Sequence, residues 1–147
     1  MKSWHVAVVS VALLPGGCSE GTKPYKTAPV SGTITLDGQP LSSAHVTFMP
    51  IPNPQGGSQS GPEAAGDTDA DGRYSLKTVF GDVGASVGKN RVMITTRKTE
   101  LDPSNPDRSR EVAKERVPMK YFTEQAPLMF DVPTGGSNGA DFELTTK

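Results

Sequence analysis

From Pro29 onward, apolar and polar positions alternate with a period of two. Val30, Gly32, Ile34 and Leu36 fall on one face, and Ser31, Thr33, Thr35 and Asp37 on the other. After the turn-forming run Asp37-Gly38-Gln39-Pro40, Ala44, Val46 and Phe48 alternate with His45, Thr47 and Met49. This predicts two half-buried strands, because successive side chains of a strand point to opposite faces. Asp71-Gly72 introduces a third strand over Arg73 to Lys77, and the glycine-rich stretch Gly81 to Gly88 precedes a fourth over Arg91 to Thr96. Leu128, Phe130 and Val132 predict another strand. Pro133 to Gly136 and Ser137 to Gly139 form a connection, and Phe142 and Leu144 predict a closing strand. No segment carries an amphipathic helix of ten residues. Short alternating strands with Gly- and Pro-rich connections predict an all-β antiparallel sandwich or barrel.

Two connections are too long for simple hairpins. Ile51 to Gly66 has almost nothing to bury, and Arg97 to Val117 is dense in charge, with only Leu101, Val112, Ala113 and Val117 apolar. Both are expected to be mobile surface loops. Glu111 to Arg116 is expected to make one or two helical turns, with Glu111 and Lys114 on one face. Loops on a rigid sandwich are common places for binding.

The amino-terminal segment has a different character. Lys2 supplies a positive start, Val6 to Leu14 is an apolar stretch of export-signal length, and the small residues Gly16 and Gly17 precede Cys18. No run approaches the roughly 20 apolar residues of a membrane-spanning helix. Residues 1–17 read as an export signal. The only Cys stands at the cleavage position, in a context that resembles the lipobox of bacterial lipoproteins, with Pro15 where that motif usually has Leu and Leu14 one step earlier. The resemblance implies that Cys18 is thioether-linked to diacylglycerol and becomes the new amino terminus. The expected location is then extracytoplasmic and membrane-anchored, at the periplasmic face or the cell surface, because two or more acyl chains hold a protein stably. Residues 18–28, polar from Ser19 to Lys26, form the expected tether, and residues 29–147 the domain.

Composition narrows the chemistry. Fifteen basic against sixteen acidic residues give a formal charge of -1, which argues against nucleic acid as a partner. One Cys excludes an intramolecular disulfide framework. Cutting before Cys18 leaves 147 - 17 = 130 residues, with His45 as the remaining His.

The ordered series Val30 to Phe48, Thr68 to Tyr74 and Gly84 to Lys89 resembles the carboxypeptidase regulatory-like domain. So does the tail formed by Val117 to Tyr121, Leu128 to Val132, Gly135 to Asn138 and Asp141 to Leu144. The likeness covers most of Pro29 to Thr146. It implies a transthyretin-like, antiparallel Greek-key β-sandwich of about seven strands, in a family of accessory modules and lone envelope lipoproteins. Where that family often has an aromatic residue two positions after the Gly matched by Gly88, this chain has Asn90, so a corner hydrogen bond or packing contact is expected to be missing.

Two sets of residues invite chemical readings. Asp67-Thr68-Asp69-Ala70-Asp71-Gly72 matches the opening of a calcium-binding loop, but the twelfth position is Thr78 where a bidentate carboxylate is required, and strands flank it. The competing reading is a turn whose Asp side chains accept backbone N–H groups, with Gly72 left-handed. His45 is expected on the outward face of its strand, with Ser42 and Ser43 as neighbours. Val117 to Phe122 is expected to pack across the open end of the sandwich, with recognition through its aromatics as the alternative. The expected function is therefore a non-enzymatic lipoprotein without cofactor, anchored to the membrane through Cys18 and presenting loops or a sheet edge to an envelope protein or glycan. The alternative is a small extracytoplasmic hydrolase or calcium-dependent binding domain using His45 or Asp67, Asp69 and Asp71.

Overall fold

The computed structural model describes residues 23–52, 61–123 and 128–147. The expected export signal and Cys18 lie outside the described residues. The chain enters in a short strand β1 (Thr27–Ala28), within the segment expected as tether, and continues as β2 (Ser31–Leu36). Asp37 and Gly38 turn it into β3 (Gln39–Pro40), followed by β4 (His45–Pro50) and β5 (Ala64–Asp67). Next come β6 (Arg73–Ser75), β7 (Lys77–Thr78), β8 (Ala85–Ser86) and β9 (Gly88–Thr95). Beyond them are β10 (Lys98–Asp102), β11 (Asn105–Ala113), a 3-10 turn at Met119–Tyr121, β12 (Leu128–Val132) and β13 (Phe142–Leu144).

These strands form an all-β sandwich. One layer has the order β12-β9-β4-β5-β7, wholly antiparallel. In the other, β2 is central, flanked by β13 and by β3, while β6 pairs with the Ser31 to Thr33 half of β2. The pairing of β13 with β2 is parallel, which departs from the antiparallel expectation. After β12 the chain crosses from the first layer to the second through residues 133–141, and it arrives running in the direction of β2. The single expected strand from Arg73 to Lys77 is likewise divided. Tyr74 pairs with Gly32 in one layer, Lys77 pairs with Ala65 in the other, and buried Leu76 sits at the corner between them.

The expected inward positions are the core. Val30, Ile34, Ala44, Val46, Phe48, Val92, Ile94, Val132, Phe142 and Leu144 are all buried. Phe48, Phe130 and Phe142 meet edge to face, with centroids 5.7 to 6.2 Å apart, the preferred arrangement of aromatic quadrupoles. Tyr74 is buried as well, and its hydroxyl donates to the Ala140 carbonyl at 2.6 Å. Burial, assisted by the Asp141 charge, pushes that phenol's pKa well up. Gly38 and Gly72 adopt φ of 79° and 74°, as their turns require.

The segment Ile51 to Gly66 is not wholly a surface loop. Its end forms β5, where Ala64 is fully buried opposite Phe48. Ala64, Ala65 and Gly66 supply little apolar signal because there is little room. A Cβ on Gly66 would lie 2.2 Å from the Ser75 carbonyl oxygen, where the second layer's β6 approaches. Gly66→Ala should therefore destabilise the domain by about 1–3 kcal/mol, measured as a lower urea midpoint with an unchanged slope.

Candidate functional site at the root of a projecting hairpin

Arg97 to Val117 contains a two-stranded hairpin rather than a loop, and Glu111 to Ala113 belongs to β11 rather than to a helical turn. β10 and β11 pair antiparallel, with Thr99 opposite Glu111 and Leu101 opposite Ser109. Apart from Asp102 and Ala113, which are half-buried, the side chains of both strands are exposed. The tip has turn chemistry suited to its position. In Asp102-Pro103-Ser104-Asn105, the Asp102 carboxylate accepts the Ser104 N–H at 2.9 Å, and the Asn105 side-chain oxygen accepts the Asp107 N–H at 3.2 Å. The ribbon presents Lys98, Glu100, Asp107, Arg108, Arg110 and Glu111 to solvent, charges of both signs.

An isolated two-stranded hairpin is marginally stable in water, so its root carries much of its order. Glu115 supplies that root. Its Oε1 accepts the N–H groups of Thr96 (2.9 Å), Arg116 (3.0 Å) and Val117 (3.0 Å), together with the Thr96 hydroxyl (2.9 Å). Its Oε2 accepts the Thr95 hydroxyl and the Arg97 N–H. Burial alone would raise the Glu115 pKa, but the hydrogen bonds from Thr95, Thr96 and Val117 outweigh it and hold the value at about 2. Arg97 reaches Glu111 at 3.1 Å across the base of the ribbon, and Arg116 donates to the Ser42 carbonyl. None of Thr95, Thr96, Glu115 or Arg116 stood out in the sequence, because a carboxylate that accepts backbone N–H groups leaves no spacing motif.

The residues singled out for chemistry lie at the same end of the sheet. His45 pairs in register with Asp67 on one side and Thr95 on the other. Its Nδ1 lies 3.2 Å from Asp67 Oδ1, with the two side chains 45% and 60% exposed. Water screens such a pair strongly. Asp69 and Asp71 do different work from Asp67. Asp69 Oδ1 accepts the N–H groups of Asp71 and Arg73, both at 2.9 Å, which is the turn geometry that competed with the calcium loop. Among the described residues, no group of three or more His, Cys, Asp or Glu is arranged to hold a metal ion.

Two further positions are informative. Asn90 is fully buried, and its amide donates to the carbonyls of Ser86 (2.9 Å) and Gly88 (2.7 Å), so the corner expected to lack a hydrogen bond has one of its own. The segment Val117 to Phe122 touches the core through three of its residues, while Met119 is exposed. Val117 is buried, Tyr121 and Phe122 lie against the core, and the Tyr121 hydroxyl accepts the Thr145 N–H at 3.1 Å. Hydrogen bonding with Thr145 lowers the Tyr121 pKa. Asp37 clasps the same carboxy-terminal strand through the Thr146 hydroxyl and N–H, which hold its carboxyl below the usual range.

Glu115 gives the site a pH signature. A carboxyl whose pKa falls from 4.5 to about 2 on folding stabilises fully above pH 4.5, and that contribution is lost as pH falls through about 2. Glu115→Gln should cost about 1–2 kcal/mol near neutral pH. It should also flatten the acid limb of a melting-temperature profile between those two values, as measured by circular dichroism.

No protein-family model and no curated protein matches the sequence. Among solved structures, part of a 9R-lipoxygenase from Cyanothece PCC8801 aligns with the chain at 11% identity and a TM-score of 0.41. That alignment covers 92% of this chain and 18% of the lipoxygenase.

Proposed function

We propose that the protein is a non-enzymatic, lipid-anchored module of the bacterial cell envelope, whose β-sandwich displays the Lys98–Ala113 ribbon to an envelope protein or glycan. The observation that carries this reading is the ribbon itself. It is long, charged and exposed on both faces, so ordering it gains almost no burial, yet six hydrogen bonds to one carboxylate fix its root. A rigidly rooted arm meets a partner with less ordering to do on binding.

The anchor is supported by the apolar run Val6 to Leu14 and by Cys18 in a lipobox-like context. The likeness of Val30 to Phe48, Thr68 to Tyr74 and Gly84 to Lys89 to the carboxypeptidase regulatory-like domain agrees with a lone accessory module. A second reading rests on the His45–Asp67 contact, in which His45 would act as a base or metal ligand. Both side chains stand open to water, which screens the contact between them.

A photo-crosslinking amino acid at Leu101 in the full chain, expressed in cells, separates the readings. Under the display reading, Leu101 forms a discrete adduct that persists in His45→Ala and Asp67→Ala. The adduct disappears when the ribbon charges around it are removed together in Lys98→Ala, Glu100→Ala, Arg108→Ala and Arg110→Ala. Absence of any adduct, or its loss in His45→Ala, contradicts the reading.

A further inference from the structure

At the end of the sandwich opposite the ribbon, the six residues Val79 to Gly84 join β7 to β8. Register fixes this placement. His45 lies opposite Asp67 and Thr95 at the ribbon end, whereas Pro50 lies opposite Asn90 at the far end, and Thr78 leaves the sheet beyond Ala64, toward Pro50. Val79, Phe80 and Val83 are 68%, 72% and 63% exposed, and Ile51, tied to Lys89 at the same end, is exposed as well. Such clustering of large apolar side chains marks an interaction surface rather than the scatter normal for a folded surface.

The loop is firmly built. The Gly81 N–H donates to the Thr78 carbonyl (2.8 Å), the Thr78 N–H to the Asp82 carbonyl (2.8 Å), the Asp82 N–H to the Thr78 hydroxyl (3.0 Å) and the Val79 N–H to the Glu63 carbonyl (3.0 Å). The apolar side chains therefore project from a braced turn.

The path of the amino-terminal segment identifies what covers them. β1 pairs with β8, the Val87 N–H donates to the Lys26 carbonyl, and Lys23 Nζ lies 2.5 Å from Asp82 Oδ1, inside the loop itself. Four residues separate Lys23 from Cys18. Five peptide units span at most about 18 Å, less than twice the roughly 14 Å radius of gyration of a domain this size. A lipid on Cys18 therefore brings this end of the sandwich to the bilayer. The exposed Lys26 and Lys77 lie in the segments beside the loop and suit phosphate headgroups, with Glu63 the exposed acid next to Val79.

We propose that Val79, Phe80 and Val83 insert into the interface of an anionic phospholipid bilayer as a second contact beside the lipid on Cys18, holding the domain upright with its charged ribbon pointing away from the membrane. The proposal rests on the reading of Cys18 as the anchor, and its test separates the two.

The probe is the full chain carrying Trp4→Phe and Phe80→Trp, purified from membranes in detergent and reconstituted into phosphatidylcholine–phosphatidylglycerol vesicles containing acyl-chain-brominated lipid. A Leu101→Trp chain in the same background reports on the ribbon. The expected result is a blue-shifted emission from position 80, most of which bromine removes, and an unshifted, unquenched emission from position 101. Intact mass of the same sample reports the state of Cys18. Acylated Cys18 with no quenching at position 80 overturns the loop contact and leaves the anchor standing. Quenching at position 80 with unmodified Cys18 supports the loop contact and overturns the anchor. A blue shift at position 80 without bromine quenching means that protein, such as a second copy of the chain, covers the loop, and it overturns the proposal.

Discussion

Phe48, Phe130 and Phe142 hold the two layers together, and most of the structure follows from where they stand. Phe48 and Phe130 come from the larger sheet and Phe142 from the smaller one, and they meet edge to face at the centre of the core. Each fixes the register of its strand, because a shift of one residue would turn the ring to solvent. With Phe48 inward, His45, Thr47 and Met49 face away from the core. The crossover through residues 133–141 delivers β13 parallel to β2 with Phe142 inward, which brings Thr145 and Thr146 to Tyr121 and Asp37.

That frame makes the two ends of the sandwich chemically different. One end is polar, where Glu115 gathers backbone N–H groups at the base of the ribbon and His45 and Asp67 sit side by side. The other carries Val79, Phe80 and Val83 on a braced loop beside the incoming amino-terminal strand. In the proposed arrangement these ends have separate duties, with the apolar end toward lipid and the charged arm toward a partner.

The core strands were legible because each buries one face. Val46 and Phe48 against His45 and Thr47 is an alternation that has only one physical reading. The same logic hid the ribbon. Both faces of β10 and β11 are wet, so no alternation marks them, and charged residues that read as a solvated loop are the edges of an ordered hairpin. Asp102-Pro103-Ser104-Asn105 was the available clue, a type I turn signal between Leu101 and the following polar run. β5 was hidden for the opposite reason, since Ala64, Ala65 and Gly66 are too small to register as a strand and are small because two layers close over them. The turn at Asp69 to Gly72 was readable from its Asx chemistry. The clasp of Glu115 on Thr95, Thr96 and Val117 was not, because backbone N–H groups carry no sequence signature.

The proposed arrangement depends on a lipid at Cys18, and the mass of the mature protein tests it most directly. Intact mass of the protein extracted from membranes with detergent, with fragmentation of its first peptide, should show a chain beginning at Cys18 and carrying diacylglycerol. A chain beginning at Met1, or one beginning near residue 18 with an unmodified thiol, would contradict the anchored arrangement.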